Sequence, residues 1–202
     1  MGRKSKADER RIQIIQAFYH SVVEQGAANA SIRKIATRAG VQPSTLHHYF
    51  SNREEIIEEA VTWFAEQCFK EFRTRMAAAG SAAPDTGLEF IFSNGMIGDA
   101  HTGFFLECCV VARQNPKVRQ TLAELFNGFR EAITTHLELM PGFSSLAPEK
   151  KQLLAATVVA IHEGIELQWF ADPEAVDLTK TLETTRNIIR FFIDTAGNLS
   201  AG

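Results

Sequence analysis

Apolar residues recur at the three- and four-residue spacing of an α-helix along almost the whole chain, and no long alternating strand pattern interrupts them. One such stripe is Ile12, Ile15, Tyr19 and Val22, and it ends at Gly26. Proline, glycine and capping residues divide the rest of the chain into further helices, about nine in all. The pattern therefore predicts an all-α protein.

Residues 31–50, SIRKIATRAGVQPSTLHHYF, have the pattern of a helix-turn-helix. The two short helices of this motif must cross closely, and Ala36 is small enough for that crossing. Four residues later, Gly40 tolerates the positive φ that the turn requires. Pro43 favours an extended conformation at Gln42, as expected of the residue that begins a second short helix. The motif predicts a DNA-binding element.

Charge is divided unevenly along the chain. Residues 1–53 carry nine basic and three acidic side chains, 9 − 3 = +6, and residues 54–202 carry 12 basic and 21 acidic ones, 12 − 21 = −9. A small basic part joined to a larger acidic part indicates a polyanion-binding end. The basic residues nearest the N-terminus, which we expect to form an arm that reaches DNA, are Arg3, Lys4, Lys6, Arg10 and Arg11.

Composition excludes several other classes of protein. A hydrophobic content of 45% and a charged content of 22% are typical of globular rather than disordered chains. No apolar stretch approaches the roughly 18 residues of a membrane span, and no apolar segment follows the basic N-terminus as in a signal peptide. Cys68, Cys108 and Cys109 form neither a disulfide framework nor a CxxC pattern, which favours a reduced, cytoplasmic protein without a cofactor.

Several helix starts are marked by capping residues. Ser31 is expected to cap the first helix of the motif. Ser51–Glu54 and Thr86–Glu89 each have the spacing of a capping box, and the second of these helices is expected to reach about Gly98. Asn115, directly before a proline, fits the N-cap of another helix.

The chain resembles the TetR family of bacterial transcriptional regulators, whose signature is similar to T-x-x-x-I-A-x-x-A-G-V-S-x-G-T-L-Y-x-Y-F-x-S/N-K-E-E-L. Residues 163–173 also resemble the D-G-L-x-L-x-x-x-x-D-P stretch of the family's penultimate helix. Gln42, Ser44, His47 and Arg53 depart from the signature, so it does not predict the operator sequence. The residues in register are Ser31, Ile35, Ala36, Ala39, Gly40, Val41, Thr45, Leu46, Tyr49, Phe50, Asn52, Arg53, Glu54, Glu55 and Ile56.

The resemblance implies a three-helix DNA-binding domain over residues 1–53 and a larger helical effector-binding and dimerisation domain over residues 54–202. The second helix of the motif would enter the major groove, where glutamine can contact adenine with two hydrogen bonds. By resemblance to the family, Tyr49, Ser31 and Arg53 would contact phosphates. The DNA-binding candidates are Ser31, Arg33, Gln42, Pro43, Ser44, Thr45, His47, His48, Tyr49 and Arg53.

A single short recognition helix gives little specificity, so we expect a homodimer on a palindromic operator. The last two predicted helices carry apolar stripes, and in the family such helices pair across a two-fold axis. Each stripe can instead be part of the chain's own core, or serve both purposes. The candidates for the dimer interface are Leu154, Val158, Ile161, Ile165, Trp169, Leu182, Ile189, Phe192 and Ile193.

In TetR-like proteins the larger domain encloses an effector pocket, and 13 of the 15 phenylalanines lie in residues 54–202. We therefore expect a pocket for a small, largely apolar effector, with an ordinary core as the alternative. His162 and Glu166 lie four apart on one helix face, but two ligands are too few, and no metal site is predicted. The pocket candidates are Phe64, Cys68, Phe72, Phe90, Asn94, Phe104, Phe105, Glu107, Cys108, Phe126, Phe129, His162 and Glu166.

Together these features predict a ligand-responsive repressor that its effector releases from DNA. The sequence contains no P-loop, G-x-S-x-G or H-E-x-x-H motif, and we predict that it is not an enzyme. One alternative is a DNA-binding regulator with a vestigial pocket that a protein partner controls. A second, a metal carrier or enzyme built on a helical bundle, is disfavoured because repeated E-x-x-H motifs are missing.

Overall fold

The structure, a computed structural model, describes residues 6–79 and 86–198 of the chain. Within these ranges it contains no β-strand, and this confirms the all-α prediction. None of the described helices is long and apolar enough to cross a membrane. The described helices are α1 (Lys6–Gln25), α2 (Ile32–Arg38), α3 (Pro43–Leu46), α4 (Arg53–Ala79), α5 (Thr86–Ile91), α6 (Asp99–Ala112), α7 (Pro116–Leu137), α8 (Pro148–Ala171) and α9 (Leu178–Asn198).

The chain divides into two units, and each is built from separate segments of sequence. Of the described residues, unit 1 contains 6–67 and 103–122, and unit 2 contains 68–79, 86–102 and 123–198. Helices α4, α6 and α7 each contribute residues to both units. The predicted boundary after Arg53 separates a DNA-binding domain from an effector-binding domain, and it does not coincide with the boundary between these two packing units. This functional division stays a prediction.

Aromatic rings from α1, α4 and α6 meet in the core of unit 1. The ring centroid of Phe104 lies 5.1 Å from that of Phe64, 4.8 Å from that of Tyr19 and 6.4 Å from that of Phe18. Phe18, Phe64 and Phe104 are buried, and each such ring stabilises the fold by about 1.5–3 kcal/mol relative to an exposed one.

The core of unit 2 is formed by α5, α7, α8 and α9, and it includes four of the nine residues predicted to form the dimer interface. Leu154, Val158, Ile189 and Ile193 are buried inside this core. This corrects their assignment to a dimer interface, because a side chain enclosed by its own chain has no surface left for a partner. The other five pack partly buried against the same core, and they are Ile161, Ile165, Trp169, Leu182 and Phe192.

Two of the expected N-caps are confirmed. The Ser31 hydroxyl accepts a hydrogen bond from the backbone N–H of Lys34 at 3.4 Å. The Asn115 side-chain oxygen accepts from the N–H groups of Lys117 and Val118 at 3.0 and 3.1 Å. In both places a short polar side chain satisfies a backbone donor that the helix leaves unpaired.

The capping box of α4 lies one residue later than the sequence indicated. The Asn52 side-chain oxygen accepts from the N–H of Glu55 at 2.9 Å, and the Glu55 carboxylate accepts from the N–H of Ser51 at 2.7 Å. The assignment to Ser51–Glu54 was wrong, since serine and asparagine both cap helices well and the spacing fits either.

Helix α5 ends at Ile91, well before the predicted end at Gly98. The Ser93 hydroxyl donates to the carbonyl oxygen of Phe90 at 2.7 Å, and such local bonds compete with helix continuation. The Glu89 carboxylate accepts from the Arg186 guanidinium at 2.8 Å, so it does not close the expected capping box.

Candidate DNA-binding surface and ligand cavities

The turn of the helix-turn-helix is built around Gly40, as predicted. Gly40 has φ +65°, which would strain a residue with a side chain. The N–H of Val41 donates to the carbonyl oxygen of Ala36 at 3.0 Å and closes the turn. Gln42 is extended, with φ −73° and ψ 146°, because Pro43 disfavours the helical conformation there.

Helix α3 is a single turn that ends at Leu46. Beyond Leu46 the backbone continues in hydrogen-bonded turns, in which the N–H groups of Tyr49 and Phe50 donate to the carbonyl oxygen of Leu46 at 3.0 and 2.9 Å. The side chain of Gln42 makes no capping hydrogen bond at the start of α3. Its DNA contact stays a prediction.

Most of the predicted DNA-binding side chains lie on the outside of this motif. Thr45 and Tyr49 are half-buried. Two of the predicted side chains make hydrogen bonds within the chain that compete with their predicted phosphate contacts: the Ser31 hydroxyl caps α2, and the Arg53 guanidinium, at the start of α4, binds backbone carbonyl oxygens. The exposed members of the set are Ser31, Arg33, Gln42, Pro43, Ser44, His47 and His48.

The Arg53 guanidinium joins the first turn of α4 to the segment before α2. Its Nε donates to the carbonyl oxygen of Ala30 at 3.1 Å, and its Nη2 donates to that of Ala27. These bonds leave fewer donors for a phosphate, so the phosphate contact of Arg53 stays a prediction.

Arg11 is held inside unit 1 and is not part of a DNA-binding arm, which corrects the sequence assignment. Its guanidinium donates to the backbone carbonyl oxygen of Tyr49 and to the carboxylates of Glu55 and Glu59, and it lies 4.4 Å from the ring centroid of Phe50. Of the other proposed arm residues, Lys6 and Arg10 belong to α1, while Arg3 and Lys4 lie outside the described residues.

The predicted effector-pocket residues are distributed between the two units, and neither unit brings all of them together. Asn94 is exposed in the turn after α5. The members in unit 1 are Phe64, Phe104, Phe105, Glu107 and Cys108. The members in unit 2 are Cys68, Phe72, Phe90, Asn94, Phe126, Phe129, His162 and Glu166.

Unit 1 contains a small cavity of about 10 Å³, lined by apolar side chains and by Glu107. Glu107 makes no hydrogen bond or ion pair with any described residue. Its Oε1 atom lies 3.1 Å from where a Cβ on Gly26 would be. The absence of a side chain at Gly26 thus leaves room for this carboxylate.

Unit 2 contains a narrow cavity of about 10 Å³, about the room that one water molecule needs, so a larger ligand would have to widen it. Its walls are apolar except for one imidazole, that of His162. Three predicted pocket residues, Phe72, Phe129 and His162, lie in this wall. The lining residues are Phe72, Ile91, Met96, Phe129, Ala132, Ile133, Val159 and His162.

His162 also belongs to a group of neighbouring polar side chains in unit 2, which we call the polar cluster. The Thr102 hydroxyl donates to Glu166 Oε1 at 2.7 Å, and the Nε2 atom of His162 lies 3.8 Å from Glu166 Oε2. The cluster consists of Cys68 on α4, His101 and Thr102 on α6, and His162, Glu163 and Glu166 on α8.

Burial controls the protonation of the polar cluster. It lowers the pKa of His101 and of His162 to about 4 each. Burial raises the pKa of Glu163 to about 8, and the negative charge of Glu166 contributes to this rise. Burial also raises the pKa of Glu166 to about 7, although the hydrogen bond from Thr102 acts in the opposite direction. At neutral pH the imidazoles are uncharged, and the carboxyl groups keep protons that exposed ones would release.

The thiol of Cys68 belongs to the same environment. Burial, followed by the charge of Glu166, raises its pKa to about 12, so it stays protonated and unreactive. Its sulfur lies 3.9 Å from Nε2 of His101. The sequence indicated Cys68, His162 and Glu166 as pocket residues. It carried no signal for Thr102, because its contact with Glu166 arises only when α6 and α8 pack together. Glu163 was also not indicated, although it follows His162 directly on the same helix.

An exposed recognition turn on a helix-turn-helix, followed by a helical region with apolar cavities, defines a DNA-binding transcriptional regulator rather than an enzyme. Residues 14–60 match the family model described as bacterial regulatory proteins, tetR family, and residues 85–195 match that of the BetI-type transcriptional repressor, C-terminal. The chain belongs to the TetR family, and its C-terminal region is of the BetI type.

Individual relatives agree with this assignment over nearly their full length. The transcriptional regulator BetI of Serratia proteamaculans is 25% identical over 187 residues, which cover 90% of this chain and 91% of BetI. The nicotine-responsive repressor HdnoR of Paenarthrobacter nicotinovorans is 22% identical over 196 residues, 94% of this chain and 96% of HdnoR. The crystal structure of a transcriptional regulator from Saccharomonospora viridis in complex with choline has a TM-score of 0.73 at 16% identity, covering 90% of this chain and 96% of that one.

Proposed function

We propose that this TetR-family protein is a repressor that binds a palindromic operator in the cytoplasm as a homodimer and leaves it when a small effector binds. The observation that carries the proposal is the exposed edge of the helix-turn-helix. Gln42, Ser44, His47 and His48 present unburied polar groups there, on a turn fixed by Gly40.

DNA contact at this edge follows from the chemistry of its side chains. Gln42 can pair with the N6 and N7 atoms of adenine, and Ser44 or Thr45 can contact several bases. Phosphate contacts come from Ser31, Arg33 and the half-buried Tyr49, which set the position of the recognition helix without reading sequence.

Exposed apolar side chains on α8 and α9 support a dimer surface. Leu153 and Leu167 are 58% and 53% exposed, and they lie fourteen residues apart, close to four full turns of α8. Ala160 lies between them at helical spacing and is small, which permits a partner helix to approach closely. On α9, Ile188 and Phe191 are 42% and 72% exposed. Such residues mark an interaction surface when they share a face.

The effector is a small, largely apolar molecule that binds the cavity lined by Phe72, Phe129 and His162. Apolar walls with a single polar group are typical of small-molecule sites, where the polar group orients the ligand. Two similar proteins, the nicotine-responsive repressor HdnoR and the regulator crystallised in complex with choline, support regulation by a small organic molecule. At 22% and 16% identity they do not identify the ligand of this chain.

Release from DNA would follow from the continuity of α4. This helix begins three residues after Phe50, where the helix-turn-helix ends, and it also carries Cys68 and Phe72. An effector that displaces this part of α4 would move the helix-turn-helix of each subunit. DNA and effector would then oppose each other by about 1–3 kcal/mol, as is typical of coupled sites.

A reporter gene behind an operator selected in vitro tests the proposal. We expect expression to fall when the protein is supplied, and to recover when a compound found by thermal-shift screening is added. Repression that no stabilising compound relieves would favour the alternative in which the cavity is vestigial and a protein partner controls release. Activation of the reporter would contradict a repressor.

A further inference from the structure

Three side chains on α8 form a compact group of metal-binding atoms. One ligand atom each from His162, Glu163 and Glu166 can be chosen so that all three lie within 4.8 Å of one another. The sequence pattern had indicated only His162 and Glu166, and Glu163 supplies the missing third ligand. Three protein ligands are the usual number for a metal site that keeps one position open.

The carboxyl group of Glu166 is buried and that of Glu163 is half-buried. The Glu166 side chain is 5% exposed and that of His162 is 6% exposed. Among the described residues, no lysine or arginine forms an ion pair with Glu163 or Glu166. Buried carboxyl groups must be paired, protonated or bound to a metal, so a metal ion that displaces their protons would supply the cation that the chain does not.

The His162 ring packs edge-on against Phe92 and lies beside the backbone of Ile91. No side chain pairs with its buried Nδ1 atom, and its Nε2 atom faces Glu166 Oε2 at 3.8 Å, beyond hydrogen-bonding distance. Two atoms that bind one tetrahedral zinc ion at 2.0–2.2 Å lie roughly 3.3–3.6 Å from each other. The 3.8 Å between His162 and Glu166 is close to this range, whereas ligand atoms of the group that lie up to 4.8 Å apart would have to move closer together.

Neighbouring groups favour a metal ion over an organic cation. The Thr102 hydroxyl donates to the second oxygen of Glu166 at 2.7 Å, which orients the carboxylate as outer-shell partners of metal ligands do. The imidazole of His101 and the protonated thiol of Cys68 belong to the same polar cluster. Imidazole nitrogen suits zinc and its neighbours in the first transition row, whereas a quaternary ammonium group has no N–H to donate to its lone pair.

We propose that His162, Glu163 and Glu166 bind one divalent transition-metal ion in unit 2. The ion neutralises the buried carboxylates and leaves a position open for a further ligand. Such a site goes beyond the proposed function, and repression of an operator does not depend on it.

The test uses the full-length protein after chelation and dialysis, with Zn²⁺ as the probe in calorimetric titration and Co²⁺ as a spectroscopic probe. We expect one Zn²⁺ per chain and a visible Co²⁺ spectrum of four-coordinate type. Glu163→Gln and Glu166→Gln should each weaken zinc binding at least about 10-fold, because each removes a ligand while keeping the side chain's size. Glu183→Gln, at an exposed position of α9, is the matched control and should bind zinc like the wild type.

Absence of zinc binding by the wild type would overturn the proposal. Binding that both glutamine variants retain would also overturn it, because the ion would then be held elsewhere. If a variant fails to fold, the Co²⁺ spectrum of the wild type decides, since six-coordinate cobalt would contradict a buried three-ligand site. Stabilisation by choline, without stabilisation by zinc, would assign the carboxylates to an organic cation instead.

Discussion

The guanidinium of Arg11, on α1, donates a hydrogen bond to the backbone carbonyl oxygen of Tyr49, at the end of the recognition turn. The same group binds Glu55 and Glu59 on α4. One side chain thus joins the three segments that must keep their geometry for the helix-turn-helix to meet DNA.

Replacing Arg11 by methionine should lower the free energy of unfolding by about 1–3 kcal/mol, because hydrogen bonds to charged groups are lost while the aliphatic bulk remains. Urea denaturation measures this change. Arg10→Met, one position earlier on α1, is the control and should have little effect, since Arg10 bonds only to Gln13 among the described residues.

The salt dependence of DNA binding separates this role from that of a DNA-binding arm. A phosphate contact contributes about 0.9 to the slope of log affinity against log salt. We expect Arg11→Met to keep the wild-type slope. If the slope of log affinity against log salt fell by about one while the free energy of unfolding stayed unchanged, Arg11 would instead be a phosphate contact of the DNA-binding arm.

Gln42→Ala should weaken binding to the selected operator by about 1–3 kcal/mol, roughly 5- to 150-fold, with little effect on nonspecific DNA. The reason is that the Gln42 side chain is exposed and makes no cap on α3. Competition binding with operator and scrambled duplexes gives both values. Gln152→Ala, an exposed glutamine on α8, is the control, and equal losses in the two variants would refute a contact by Gln42.

The double variant Leu167→Glu, Phe191→Glu should be a monomer and should bind the operator more than tenfold more weakly. The reason is that burying unpaired carboxylates between α8 and α9 of the two subunits costs more free energy than association of the subunits releases. Sedimentation velocity at micromolar concentration measures the change. Arg190→Glu is the control and should stay dimeric, because Arg190 lies about 200° around α9 from Ile188 and so on another face of the helix. A wild-type protein that is already monomeric would contradict the dimer.

Glu58 gives a prediction about pH. Hydrogen bonds from the Lys117 ammonium and the Asn115 amide hold the pKa of Glu58 below its usual 4.5. A carboxyl group with a lowered pKa in the folded state stabilises the fold above pH 4.5, and this contribution is lost as the pH falls.

We therefore expect Glu58→Gln to lower the urea midpoint at pH 7, and the difference from wild type to shrink towards pH 3.5. Glu66→Gln, exposed on the same helix, should show no such dependence. A difference that grows on acidification would contradict the assigned role of Glu58.

The sequence predicted what depends on local rules. Gly40 fixes a turn that few other residues tolerate, and Pro43 determines the conformation of Gln42, so the motif was predictable from spacing. The position of the capping box was not, because Ser51 and Asn52 fit the same rule. The assignment of Leu154 and Ile189 failed for a related reason: an apolar stripe shows that a helix packs against something, but not whether the partner is its own chain.

Features that depend on tertiary packing were not predictable. Nothing in the spacing of Arg11 marks it as the partner of Tyr49, 38 residues away. Likewise, nothing in the sequence marks Thr102 as the hydrogen-bond donor to Glu166, 64 residues away.

Selection of bound sequences from random duplex DNA by the full-length protein tests the central claim most directly. The account predicts enrichment of a palindrome with two half-sites about one helical turn, or a multiple of it, apart, together with a steep negative dependence of affinity on salt. Recovery of no enriched sequence, or of a single unrepeated half-site bound by a monomer, would contradict it.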